Sequence, residues 1–266
     1  MGKISAVRCL HPMSHPHALT WNPDTTPDEL DSLLKSLGEA YPISPSGKGR
    51  TLVFSGSGNS GTLSVRSGEE ETHIAYSSVS TAARGLGHAL AGQSIESKTT
   101  FLTQGMMLDC SRHAVMKVSY VKHWMRQLAL MGYNLLMLYT EDTYVLPDEP
   151  YFGYMRGGYT GEEIEDIDAC ARQLGIEVVA CIQTLGHMDQ ILKWSHYSDL
   201  RDTERVLLVG EEKTHALIEK MIAFWAKHLS SRRIHVGMDE AHEFGRGRHL
   251  DNVWASTTSA CSQKCR

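Results

Sequence analysis

From residue 105 onward, short apolar runs alternate with longer stretches in which apolar residues recur every three or four positions. GMMLDC (105–110), YNLLMLYTED (133–142), IEVVACIQTLGH (176–187) and RIHVGMDE (233–240) are near-continuous apolar runs, and each predicts a strand. Between them, AVMKVSYVKHWMRQLALMG (114–132) places Val115, Val118, Val121, Met125 and Leu128 on one helical face and stops at Gly132. TGEEIEDIDACARQLG (160–175) reads as a helix that opens on a Thr160–Glu163 capping box and closes at Gly175. THALIEKMIAFWAKHL (214–229) reads as a third helix. Strand, helix, strand, helix, strand, helix, strand demands an α/β parallel sheet with helical crossovers, and the unbroken apolar strands expect cover on both faces.

The first hundred residues have a different texture. Residues 26–42 carry leucines at helical spacing behind a Thr26–Glu29 capping box. Residues 50–56 read as a strand, 61–78 as a hairpin around a polar turn, and 80–92 as a small-residue helix. The expected organisation is an N-terminal α+β accessory domain over 1–98, a parallel α/β domain over 99–250 and an irregular tail over 251–266.

Polar residues gather where the parallel strands end. Asp109 and Arg112 follow the first, Glu141 and Asp142 the second, Gln183 and His187 the third, Asp239 and Glu240 the fourth. Those carboxyl ends are the functional face of a parallel barrel or sheet. Singly, each residue has an ordinary structural reading: Asp239 as a helix cap, Glu240 as a solvated carboxylate, His187 as a packed histidine. Asp109 and Arg112 either pair to brace the sheet or touch a substrate. Tyr151, Phe152, Tyr154 and Tyr159 either line a sugar site or pack beneath a long loop.

A formal charge of −5 argues against a nucleic-acid partner. No apolar run is long enough to span a membrane, and the N-terminus lacks the apolar stretch of a signal peptide. It begins Met-Gly, but Ala6 breaks the myristoylation pattern. The six cysteines are Cys9, Cys110, Cys170, Cys181, Cys261 and Cys265, and they read as reduced thiols of a cytoplasmic protein. Cys261 and Cys265 are spaced like half a metal site with no second half. His242, Glu243 and His249 miss the zinc-protease spacing, so no metal or other cofactor is expected.

HVGMDE (235–240) resembles the His-x-Gly-x-Asp-Glu signature of family 20 glycoside hydrolases, the β-N-acetylhexosaminidases. GMMLDCSRHAVM (105–116), LYTEDTY (138–144), EPYFGYMRGGYT (149–160), CIQTLGH (181–187) and LLVGEEKT (207–214) look like one bacterial branch of that family, in the same order. The resemblance covers about residues 99–250. It implies a (β/α)8 TIM barrel and exo-acting, substrate-assisted retaining hydrolysis of terminal N-acetylglucosamine or N-acetylgalactosamine. It assigns Asp239 to the substrate's acetamido N–H and Glu240 to protonation of the leaving oxygen. His187 matches a histidine beside the acid, and Glu141 aligns with a further acidic residue, Asp142 being the alternative.

The sequence departs from the family in two places. Gln104 precedes Gly105 where many members carry Arg-Gly, so no hydroxyl-gripping arginine is assigned there. The fourth barrel strand also arrives only at Glu240. The expectation is therefore the first half of a barrel without the family's pocket Tyr and Trp residues, weakly active or inactive, and self-associating through open strand edges. Two other readings remain open. One is a metal-dependent hydrolase or isomerase on a parallel barrel using His235, Asp239, Glu240 and His242; the other is a sugar-binding pseudoenzyme.

Overall fold

The computed structural model describes residues 16–252, which fall into two units. One takes the chain up to Leu102 together with Arg126–Gly132; the other takes Thr103–Met125 and the chain from Tyr133 onward. Cys9, Cys261, Cys265 and nearly all of the expected 251–266 tail lie outside the described residues.

The first unit is built from β1 (Leu19–Thr20), α1 (Asp28–Gly38), β2 (Ile43–Ser44), β3 (Arg50–Gly56), β4 (Thr62–Ser67), β5 (Glu71–Tyr76), α2 (Val79–Leu90) and β6 (Ile95–Lys98). The strands form one mixed sheet in the order β2-β1-β3-β5-β4-β6. The hairpin expected at 61–78 is the antiparallel pair β4–β5. α1 buries Leu30, Leu33, Leu34 and Leu37, the leucines whose spacing signalled it. Its expected capping box does not form. Pro27 occupies the N-cap without a side-chain bond, and Glu29 instead accepts a 2.6 Å hydrogen bond from the Tyr76 hydroxyl. A tertiary partner has taken the carboxylate that the local motif would have used.

The second unit holds β7 (Gly105–Asp109), the first part of α3 (Val118–Leu130), β8 (Leu135–Tyr139), α4 (Gly161–Gln173), β9 (Glu177–Cys181), the short α5 (Asp189–Leu192), a 3-10 turn at Ser195–Leu200, α6 (Glu212–His228) and β10 (Ile234–His235). The strands pair in the order β10-β9-β8-β7, all parallel, as the alternating pattern demands. The Thr160–Glu163 capping box opens α4 as expected, with both reciprocal bonds present. Buried Leu108, Leu136, Leu138, Val178 and Ala180 form the packed side of the sheet. Among the described residues β7 and β10 each have one strand neighbour, so both edges of this sheet are open.

β10 is much shorter than the expected 233–240 run. Gly237 has a φ of +54° and turns the chain out of the strand, while its carbonyl still accepts from Thr184 N at 3.0 Å. A Cβ at Gly237 would collide with the Ile182 carbonyl, so the turn requires glycine on two counts. No described helix is long and apolar enough to cross a membrane.

Candidate active site

Strand register sets Asp109, Tyr139, Cys181 and His235 side by side at the carboxyl end of the sheet. Register partners in a parallel sheet share a face, so these four form one row. Asp109 Oδ1 accepts from Ser111 N at 2.9 Å and Arg112 N at 3.0 Å, closing a tight turn after β7. That turn carries Arg112 over Tyr139. Its guanidinium sits 4.9 Å above the ring and Nη2 lies 3.3 Å from the hydroxyl. Arg112 Nε is 3.9 Å from both Asp109 Oδ2 and Glu141 Oε1, so the Asp109–Arg112 pairing is loose.

The Tyr139 hydroxyl is the hub of the site. It accepts from Arg112 and from Gln183 Nε2 at 3.2 Å, and it donates to Glu141 Oε1 at 3.2 Å. Two acceptances and one donation use a phenol's full capacity. Gln183 Nε2 also donates to Asp239 Oδ1 at 3.2 Å. The reverse amide orientation would set a carbonyl oxygen against the Asp239 carboxylate, so this one is chemically required. A hydrogen-bonded line therefore runs from Glu141 through Tyr139 and Gln183 to Asp239, across three strands.

Asp239 and Glu240 lie in the turn beyond β10, and the left-handed backbone of Glu240 (φ +51°) separates the two side chains. Facing them is the turn after β9, where His187 is also left-handed (φ +55°). The two turns press together: a Cβ at Gly186 would lie 2.8 Å from the Asp239 carbonyl oxygen. His187 is thereby held, its side chain 10% exposed, with Nε2 3.3 Å from Glu240 Oε2 and 3.7 Å from Asp239 Oδ2. Neither approach is a hydrogen bond, so His187 Nε2 is a buried polar atom without a hydrogen-bond partner among the described residues.

Burial pushes Asp239 upward, but the backbone N–H bond, the Gln183 amide and the imidazoles of His187 and His235 outweigh it and hold its carboxyl below the usual range. Asp239 is ionised at neutral pH. Burial, reinforced by the Asp239 charge, pushes the Cys181 thiol up to about 11, which makes it a poor nucleophile.

Glu141 and Asp142 part company. Glu141 faces the Tyr139 hub. Asp142, 1% exposed, turns to Arg156 Nη1 at 2.7 Å. Burial pushes Asp142 up, and the Arg156 charge offsets this only in part. Arg156 Nη1 also lies 3.8 Å from Glu141 Oε2, and its Nη2 donates to the Ser111 carbonyl. Among the described residues neither carboxylate bonds to His187 or Glu240. The structure thus gathers Asp239, Glu240 and His187 in one cluster and Asp109, Arg112 and Glu141 in another, joined by Tyr139 and Gln183. Asp142 sits in the loop behind. His235, Asp239, Glu240 and His242 do not form a group that could hold a metal ion.

Three participants escaped sequence reasoning: Tyr139 and Arg156 were not singled out, and Gln183 was noted only as a strand-end residue. Parity could have found Tyr139, two residues before Glu141 in the run that forms β8. Of the loop aromatics, Phe152 and Tyr159 are buried, while Tyr151 and Tyr154 are exposed.

The catalytic-domain model of glycosyl hydrolase family 20 matches residues 101–265. Human hexosaminidase D is 30% identical over 163 residues, covering 56% of this chain and 32% of that protein. Bovine hexosaminidase D is 31% identical over 140 residues, covering 49% of this chain and 39% of its own length. The chain thus spans about a third of the length of these curated relatives. Among solved structures, the Vibrio harveyi exo-β-N-acetylglucosaminidase in complex with N-acetylglucosamine superposes with a TM-score of 0.72 at 20% identity, over 92% of this chain and 47% of that one. Streptomyces plicatus N-acetyl-β-hexosaminidase gives 0.68 at 21% identity, over 86% of this chain and 56% of that one. These two share the fold. Since the family model covers more than half of the sequence and includes the parallel sheet with its Asp239–Glu240 pair, the chain belongs to glycosyl hydrolase family 20.

Proposed function

We propose that the chain carries the acid and the acetamide-orienting carboxylate of an exo-acting β-N-acetylhexosaminidase that works by substrate-assisted retention. On this reading β7–β10 are the first four strands of a (β/α)8 barrel and the mixed-sheet unit is an accessory domain. The opposite wall of the sugar pocket would come from strands that pair with the free edges of β7 and β10.

The observation that carries the proposal is the unequal treatment of two neighbouring carboxylates. The two side chains are similarly exposed and both face His187, but Asp239 alone is tied through Gln183 to the Tyr139 hub and held ionised. An ionised Asp239 accepts the acetamido N–H and makes the amide oxygen a better nucleophile toward the anomeric carbon. Glu240 gives its proton to the departing oxygen, then takes one from the water that opens the oxazolinium-like intermediate. In such a mechanism the nucleophile belongs to the substrate, so the protein needs no carboxylate across the bond.

The test is a pair of aryl substrates differing only at C2. Turnover of the N-acetylglucosaminide should exceed that of the plain glucoside on the order of 10³-fold, the gain of an intramolecular nucleophile. Comparable cleavage of the two would overturn the mechanism.

A pH profile tests the tuning. Because the folded-state pKa of Asp239 is depressed, its ionised form persists below the ordinary carboxylate range. Gln183→Leu removes one of the groups that lower it, so the acid limb of kcat/KM should move to higher pH. An unmoved limb would show that Gln183 does not set this ionisation.

A further inference from the structure

Tyr151 and Tyr154 stand out on the carboxyl-end surface of the second unit. Both are exposed, at 39% and 47%, in the loop that also carries Glu141 and Asp142. Their rings lie 5.7 Å apart. Trp194, half-buried on the loop that carries Gln183 and His187, meets Tyr154 edge-on at 5.1 Å and Tyr151 at 6.0 Å. Two site-bearing loops thus meet in one patch of three aromatic rings.

The patch is rigidly built. Glu149 is pinned by Lys220 Nζ at 2.7 Å and by the Tyr197 hydroxyl at 3.0 Å. Phe152 is buried against Tyr144 with ring centroids 4.9 Å apart. Tyr151 is therefore held between two anchored neighbours. Asp148 (φ +62°) and Met155 (φ +63°) adopt left-handed backbone that non-glycine residues rarely take, and Met155 is 87% exposed. Strain of this kind persists where a loop is held in a set shape. The patch also connects to the site. Arg156, two residues past Tyr154, grips Asp142, and the charge of Lys193 beside Trp194 reaches the same carboxylate.

We infer that the Tyr151–Tyr154–Trp194 patch is a binding subsite for a second pyranose ring of a saccharide substrate. The inference rests on the hexosaminidase reading. An exo-acting enzyme removes the terminal sugar, so every further ring lies on the leaving-group side. A pyranose presents an apolar face of C–H groups and an edge of hydroxyls, which fits exposed aromatic faces bordered by polar groups. Here Tyr151 and Tyr154 supply both ring faces and hydroxyls.

The test measures sugar binding in a Glu240→Gln background, which blocks turnover during titration. N-acetylglucosamine and its β-1,4-linked disaccharide are titrated calorimetrically. The disaccharide should bind about tenfold more tightly, equivalent to one good stacking contact. Tyr154→Ala should abolish that preference, and Tyr154→Phe, which keeps the ring, should restore most of it. Equal affinities for the two sugars, no binding of either, or a preference untouched by Tyr154→Ala would each overturn the subsite. Turnover of an aryl N-acetylglucosaminide by the unsubstituted protein is scored separately. A disaccharide preference without such turnover would support the subsite and refute the catalytic reading. Turnover without a preference would do the reverse.

Discussion

Replacing Glu240 with Gln is expected to lower hydrolysis of a saccharide substrate by about 10²–10⁴-fold, the usual contribution of a positioned general acid. A nitrophenyl leaving group needs no proton to depart, so its release should fall far less. The asymmetry follows from where Glu240 sits. Its carboxyl is mostly exposed and lies 3.3 Å from His187 Nε2, while Asp239 alone receives the Gln183 amide. Glutamine keeps the size and polarity of the side chain but cannot give up a proton. Pre-steady-state kinetics on both substrate types would measure the split. Equal losses would mean that Glu240 does not protonate the leaving oxygen, and the acid would have to be sought elsewhere on the sheet's carboxyl end.

Much of the second unit was legible because its elements obey local rules. The apolar runs at 105–110, 133–142 and 176–187 contain β7, β8 and β9, and the Thr160–Glu163 box opens α4 where expected. In β10 period alone misled. The VGMDE run continues the strand pattern on paper, but Gly237 turns it out after His235, and only the crowding against Ile182 shows why. The turn geometry that separates Asp239 from Glu240 was invisible for the same reason, since left-handed φ at Glu240 and His187 is imposed by tertiary packing. Long-range polar partners were also beyond reach. Glu29 gives up a capping box to bond Tyr76, 47 residues away, and Tyr139 gathers bonds from residues 27 positions before and 44 after it. Adjacent Glu141 and Asp142 look interchangeable in the chain. Burial and Arg156 separate them: one faces the hub and the other is sealed into the loop.

That sealing makes Arg156 the residue whose loss should cost the second unit most. Asp142 is 1% exposed and Arg156 Nη1 lies 2.7 Å from it, so Arg156→Met would strand a carboxylate in a nearly dry site and also remove the donor to the Ser111 carbonyl. Breaking a buried pair from one side typically costs about 3–5 kcal/mol. The pH dependence has a definite sign. Burial already raises Asp142 above its unfolded value, and Arg156 is the principal group opposing that rise. Without the cation the folded-state value climbs further. A raised acid imposes no penalty below its unfolded pKa and an increasing one as pH rises toward its folded pKa. The destabilisation should therefore be largest at neutral pH and shrink as acid protonates Asp142. Adding Asp142→Asn should recover most of the loss, because a neutral amide does not need the guanidinium. Denaturant melts at pH 7 and pH 5 on the two variants would measure this. A pH-independent loss, or no recovery in the double variant, would show that Arg156 acts by filling space in the loop and not by neutralising Asp142. Arg156 Nη1 also lies 3.8 Å from Glu141 Oε2, so its loss should loosen the carboxylate that accepts from the Tyr139 hydroxyl as well.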